Sequence, residues 1–285
     1  MLDPRRVLTF REVAHLGSFS RAADALALTQ PAVSQQVAAL ERQLGTRLLH
    51  RGPGGLTLTP AGELLLEHSD VVADRLELAT SQLDELVGRE QRYLRVGAYP
   101  SALATVVPRA LAQLTDLKAD VSEGTMEALA EEVASGALHV ALCFQDSTQE
   151  RREPAGTERV DVEEEPFTAL LPPGHRLAGK GPLRLRDLAE ETWVAPSRSG
   201  LIVRACQAAG FTPAIRCVSR DPLANRGLVA AGLAASISPA RLTAEFHGVA
   251  VEALRDGPTR SVYALLPSAG ASELARAFVA ALRRT

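Results

Sequence analysis

The sequence predicts an α/β chain with an all-α-type head, and three observations carry that prediction. The first 60 residues are short helical patterns ending in the turn Gly52-Pro53-Gly54-Gly55. After Gly62 neither Pro nor Gly interrupts the chain until Gly88, which reads as one long helix. From residue 92 onward, short apolar runs alternate with helical stretches, the α/β texture. The 285 residues are 46% hydrophobic and 23% charged, enough apolar material for buried cores, so a disordered or fibrous chain is excluded. The longest uncharged run, 25–40, holds three Gln, a Thr, a Ser and a Pro. It is far from the ~20 apolar residues of a membrane span. Three Cys form no disulfide framework, and the N-terminus enters a polar helical pattern rather than an apolar signal segment. A cytoplasmic protein that meets no membrane is expected.

Charge is uneven along the chain. The formal net charge is −3, which by itself argues against a nucleic-acid partner. Residues 1–60, however, carry seven Arg against four acidic residues, whereas residues 61–89 carry seven acidic residues against two Arg. A basic head followed by an acidic stretch fits a DNA-binding module joined to a part that does not touch DNA.

Within the head, Ala22, Ala23 and Leu26 form one apolar helix face, with Ser18 as its N-cap. A short turn, 27–29, leads to Pro31, tolerated in a first helical turn because its missing N–H has no partner there. In the next helix Val33, Val37, Leu40 and Leu44 form a single stripe expected to be buried. Pro31, Gln35, Ala38 and Arg42 lie opposite, with Ser34 at the edge. A solvated helix face usually carries Lys and Glu. This one is slim and rich in hydrogen-bonding groups, as entry into a major groove requires, where Gln can pair with the N6/N7 edge of adenine. Two helices joined by a short turn, about 19–38, describe a helix-turn-helix. The segment 51–59 reads as a tight hairpin, a wing that places Arg51 against phosphates or a narrow minor groove. Downstream, Leu65, Ser69, Val72, Leu76, Ala79, Leu83 and Leu86 recur at alternating spacings of four and three, a heptad seam with one polar interruption. A partner helix is expected on it.

These residues also carry a resemblance. Phe10, Ala14, Gly17-Ser-Phe-Ser-Arg-Ala-Ala23, Leu26, Thr29-Gln-Pro-Ala-Val-Ser34, Leu40-Glu41, Leu44-Gly45, Leu48, Arg51 and Leu58-Thr-Pro-Ala-Gly62 resemble the N-terminal domain of LysR-type transcriptional regulators. The resemblance implies DNA contacts from Gln30, Pro31, Ser34 and Gln35 on the recognition helix and from Arg51 on the wing. It also implies a homodimer, or a homotetramer of two dimers, paired through the linker helix and bound to double-stranded promoter DNA. Two departures stand out: Leu49 occupies a position where Phe is usual, and Gln35 a slot often filled by Arg or Lys.

Beyond residue 92, strands are expected at 93–97, 119–123, 139–144, 167–171, 192–195, 214–218, 234–238 and 261–265, and helices at 102–114, 125–135, 199–209, 222–231 and 272–283. No G-x-S-x-G, P-loop, G-x-G-x-x-G or H-E-x-x-H pattern occurs, and the six His are scattered without metal-ligand spacing. Neither an enzyme nor a cofactor or metal is therefore expected. The resemblance implies a periplasmic-binding-protein-like pair of α/β subdomains, I at 92–162 plus 267–285 and II at 163–266. Crossover strands would lie near 159–163 and 261–266, with a small-molecule effector held in the crevice. Ser101, Thr125 and Ser197 match positions that touch effectors in family members, and Arg198 either neutralises a carboxylate effector or is merely solvated. Ala234 takes a place where Gly is common. Of the cysteines only Cys206 roughly matches a redox position, so a cysteine-pair sensor is not expected. The alternative reading is a cytosolic enzyme or solute-binding module with a helical appendage, separated from the first by whether the chain binds duplex DNA in a salt-sensitive way.

Overall fold

The computed structural model describes residues 1–52, 55–86, 93–147, 149–150 and 154–285, and only the backbone at positions 51, 81, 82 and 84–86. It divides into two units, residues 1–90 with 135–137, and the remainder from 91.

The first unit is built by local rules. Helix α1 (Pro4–Leu16) starts where the Asp3 carboxylate accepts from Arg5 N at 3.0 Å and stops at Gly17, whose φ of 61° suits glycine. Helix α2 (Phe19–Ala25) is capped by Ser18, as its sequence predicts. Helix α3 (Gln30–Leu44) begins behind the Thr29 hydroxyl, carries Pro31 in its first turn and ends at Gly45. The hairpin β1 (Leu49–Gly52) and β2 (Gly55–Leu58) pairs antiparallel, Leu49 opposite Leu58. Helix α4 (Pro60–Leu86) follows, its N-terminus capped by Thr59, which accepts from Gly62 N at 3.0 Å. Phe10, Val13, Ala22, Val33, Val37, Leu40 and Leu48 fill the core between them. Leu44, expected in the buried stripe, is instead 38% exposed. It closes the helix just before the left-handed Gly45, one turn beyond the reach of the core.

The second unit runs β3 (Tyr93–Ala98), α5 (Pro100–Leu103), α6 (Val106–Leu111), β4 (Lys118–Glu123), α7 (Met126–Ser135), β5 (Val140–Asp146), β6 (Thr157–Leu171), β7 (Thr192–Ala195), α8 (Leu201–Ala208), β8 (Ala214–Val218), α9 (Pro222–Ala230), β9 (Ser236–Pro239), α10 (Ala240–Thr243), β10 (Ala250–Ala253), β11 (Thr259–Pro267) and α11 (Glu273–Leu282). The single helix expected over 102–114 is broken in two. Pro108 offers no N–H to the carbonyl of Ala104 and its ring crowds that carbonyl, so the helix ends at Ala104–Thr105 and restarts.

Strands β4, β3 and β5 are parallel, and β11 and then β6 extend them antiparallel. Strand β6 is long enough to leave β11 and continue into pairings with β9 and β10. Two cores result. One gathers Leu94, Val96, Leu142, Val262, Ala264, Leu266 and Phe278; the other gathers Phe167, Leu171, Leu185, Leu188, Trp193, Cys206 and Ile237. The boundaries expected at 162/163 and 266/267 fall inside the crossing strands. By burial, β11 belongs to the first core, because Val262, Ala264 and Leu266 pack there, and the second begins at Phe167.

Candidate nucleic-acid interface and effector crevice

Helix α3 presents Gln30, Pro31, Gln35 and Arg42 to solvent, with Ser34 and Ala38 half-buried beside them. Among the described residues, the side chains of Gln30 and Gln35 make no hydrogen bond, so their amides remain available. Gln36 is different. Its Oε1 accepts from the buried Thr9 hydroxyl at 2.6 Å, which ties α3 to α1 and commits the oxygen of this amide to the head. The wing is anchored to the same helix by Glu41, whose Oε1 accepts from Leu48 N at 2.9 Å and Leu49 N at 3.4 Å. Thr59 Oγ1 donates to Arg47 O at 2.8 Å and closes the base of the hairpin. A groove between α3 and the wing is lined by Phe19, Ser34, Ala38, Arg47, Leu49 and His50. Arg47 has an 80% exposed side chain at its rim and His50 is also exposed. His50 escaped the sequence reading because a lone imidazole carries no pattern. The Arg51 backbone pairs with Leu56, while its side chain lies outside the described residues.

On α4, Leu65 packs against the head core and Ser69 is fully buried, its hydroxyl donating to Leu66 O at 2.8 Å. The next seam positions are uncovered: Val72, Leu76 and Leu83 are 40%, 50% and 61% exposed, and Ala79 is exposed as well. The Leu86 side chain lies outside the described residues.

In the second unit Ser101 is buried, and its hydroxyl oxygen accepts from Arg260 Nη2 at 3.1 Å. Arg260 in turn donates through Nε to Glu165 Oε2 at 2.8 Å. Both are almost completely buried where β6 and β11 cross. Thr125 is exposed and caps α7, accepting from Ala128 N at 3.3 Å. Ser197 folds onto its own turn through the backbone of Ser199. Arg198 is exposed and donates to Ile215 O at 2.7 Å. Ser101 is thus the one of these four positions that the structure seats at the junction of the two cores; the other three are engaged locally. Three ion pairs that the sequence reading missed surround that junction. Arg204 on α8 donates to Asp146 Oδ2 from Nε at 3.2 Å and Nη2 at 2.8 Å. Arg241 on α10 grips Glu163 with both ends at 2.7 Å. That hydrogen-bonded pairing raises the Arg241 pKa above its ordinary value. Arg109 pairs with Glu245 on the exposed side. Their sequence separations leave no local signal.

Burial pushes the thiols of Cys143 and Cys206 up to about 12, and burial also raises Tyr99. Cys206 packs in the core with Trp193, whereas Cys217 on β8 packs with Val194 and Val229. No group of His, Cys, Asp and Glu among the described residues has the arrangement of a metal site.

Residues 4–63 match the family model described as the bacterial regulatory helix-turn-helix protein, lysR family, and residues 88–285 match the LysR substrate binding domain. The chain belongs to the LysR family. An SDS degradation transcriptional activation protein from Pseudomonas sp. is 37% identical over 198 residues, covering 66% of this chain and 63% of that one. The chain therefore spans less than two thirds of that relative's length. The small neutral protease regulatory protein of Streptomyces coelicolor is 31% identical over 95% of this chain and 90% of its own. The LysR fold also extends across both units. Full-length CbnR in complex with its target DNA covers 99% of each chain at a TM-score of 0.69 and 24% identity. By their names the first of these relatives is a transcriptional activator and the second a regulatory protein. Among the described residues no helix is long and apolar enough to cross a membrane.

Proposed function

We propose that this LysR-family chain is a sequence-specific, effector-responsive transcriptional regulator that acts in the cytoplasm as a homodimer or as a homotetramer of two dimers, and that it is not an enzyme. The observation that carries this reading is the outward face of α3, where Gln30, Pro31 and Gln35 stand exposed beside Ser34 while the opposite face is sealed into the head core. A helix so arranged suits the major groove, where an amide can bond bidentately to an adenine edge. Arg51, on the strand that leads into the hairpin turn, extends the contact to the backbone. The exposed apolar seam at Val72, Leu76, Ala79 and Leu83 supports pairing with a second copy. Two heads restrict binding to paired half-sites about one helical turn, or a multiple of it, apart. The CbnR neighbour, of the same fold, is complexed with its target DNA, which supports duplex DNA as the partner. Ser101 at the junction of the two cores is the best-placed effector contact, with Thr125, Ser197 and Arg198 as further candidates. A ligand held there shifts the assembly between two arrangements by binding one of them more tightly.

The test is fluorescence anisotropy of the full chain on a duplex selected from a random pool and on an unselected one, across a salt series. Affinity should fall steeply with salt on both, as counterion release demands. Gln35→Ala should lose about 1–3 kcal/mol on the selected duplex only, and Arg51→Ala should weaken both. Equal loss of the two duplexes on Gln35→Ala would remove base reading from that residue. An absence of duplex binding at low salt would return the enzyme or solute-binding alternative.

A further inference from the structure

The Ser101 site has a charge balance that constrains its ligand. Arg260 is 5% exposed, and its guanidinium carbon lies 4.7 Å from the ring centres of both Tyr99 and Phe144 and 6.0 Å from that of Phe167. Two of its nitrogens are committed: Nε to Glu165, and Nη2 to both Glu165 at 2.6 Å and Ser101 at 3.1 Å. Among the described residues Nη1 donates to no group, and neither the Ser101 hydroxyl proton nor the Tyr99 hydroxyl has a partner. The site therefore offers unused donors on an arginine, a serine and a tyrosine that are each at least nine-tenths buried, in aromatic surroundings.

The charge of the guanidinium is not similarly available. Glu165 neutralises Arg260 and also accepts from Arg241 N at 3.2 Å. Glu163 neutralises Arg241. Asp146, directly opposite Arg260 across β5 and β11, is paired with Arg204. The three guanidinium groups and three carboxylates of this cluster match one to one. Glu164, between the two paired glutamates, is held by the hydroxyls of Ser147 and Ser261. A carboxylate ligand reaching Nη1 finds no unmatched cation here, and it meets the fixed negative charge of Glu165 in a poorly solvated place. An uncharged acceptor uses the same donors without that repulsion, since burying a charge is costly unless it is paired.

We infer that the site beside Ser101 takes an uncharged hydrogen-bond acceptor, such as an amide or ketone carbonyl, and discriminates against the corresponding carboxylate. This rests on the effector-crevice reading above and specifies the ligand chemistry of that site. Arg198, which would be the partner of an anionic ligand, is exposed and donates to Ile215 O.

The experiment titrates the full chain with three matched probe pairs, benzamide and benzoate, salicylamide and salicylate, phenylacetamide and phenylacetate, by ligand-observed NMR at pH 7.5. The wild type should bind the amide of each pair at least about tenfold more tightly than the acid. Glu165→Gln, which leaves Arg260 uncompensated, should strengthen the acids at least about tenfold with little change for the amides. Ser101→Ala should weaken both kinds of probe, which places them at this site. If Glu165→Gln does not fold, the wild-type comparison decides alone. Acids binding the wild type as tightly as amides, or no probe binding at all, would overturn the inference. Duplex binding measured on the same preparation keeps that failure distinct from failure of the regulator reading, which would appear as loss of salt-sensitive DNA binding.

Discussion

Gly62→Ala tests how the head is joined to its linker helix, because two physical effects there have opposite signs. Gly62 lies in the first turn of α4, where alanine ordinarily stabilises a helix by about 1 kcal/mol relative to glycine. A Cβ at this position, however, would come closer than 3.0 Å to the carbonyl oxygen of Leu48, and would sit 3.1 Å from its carbonyl carbon and from Leu58 Cδ2. The obstacle is backbone, so it does not yield by a rotamer change. It is also bonded, since Leu48 O accepts from Thr59 N at 3.0 Å while Leu48 N donates to Glu41. Overpacking costs about 1–3 kcal/mol, and loosening one such hydrogen bond adds about 1 kcal/mol. Steric conflict wins over propensity, with a net loss of about 2 kcal/mol, equivalent to roughly 10 °C in Tm for a unit of this size. Trp193, the chain's single tryptophan, is buried in the second unit and supplies an internal control. Thermal unfolding followed by far-UV circular dichroism should show an early phase in the variant, while the transition reported by Trp193 fluorescence stays in place. An unchanged or raised melting temperature would refute the steric argument.

Thr59→Ala removes a cap and leaves Arg47 O and Gly62 N without their bonds; a loss of about 2 kcal/mol is expected in the same melt. Gln36→Ala should destabilise the head by about 1–2 kcal/mol with no change in duplex discrimination, the converse of Gln35→Ala, as stability and anisotropy measurements on both variants will show. At pH 8 the native chain should leave Cys143 and Cys206 unlabelled by iodoacetamide while Cys217 reacts; labelling of all three at equal rates would contradict the burial that holds two thiols protonated. Because both folded-state values lie above the ordinary thiol range, unfolding releases protons at high pH, so stability should fall as pH rises from about 9 towards about 12, measured as a falling Tm. A Ser101→Ala, Thr125→Ala double variant should retain duplex binding but lose its response to effector in a promoter assay; an unaltered dose response would count against both positions.

Much of the fold was legible because its signals are short-range. Ser18, Thr29 with Pro31, and Gly45 mark helix boundaries through contacts within a few residues, and they stand where the rules place them. Strands β3, β7 and β8 announce themselves by short β-branched and apolar runs. The first half of β6 does not: 157–166 is crowded with charges and has no apolar run, so only the resemblance implied a crossover strand near 159–163, and it is a strand because β11 supplies its hydrogen bonds. The short edge strand β10, with Val251 39% exposed, likewise has no run to reveal it.

Sequence periodicity by itself determined that α3 has a buried stripe and an opposite polar face, that the linker carries an apolar seam, and that an α/β unit follows. Only the tertiary structure decided which polar groups remain free. Gln35 and Gln36 are neighbours of identical chemistry, and Thr9, 27 residues away, makes one of them structural. Ser101 reads as a helix-start hydroxyl, until Arg260, 159 residues further on, takes its lone pair and brings a buried carboxylate with it. Helix and strand formation depend on near neighbours, whereas the solvation and charge of a side chain depend on whatever folding brings beside it.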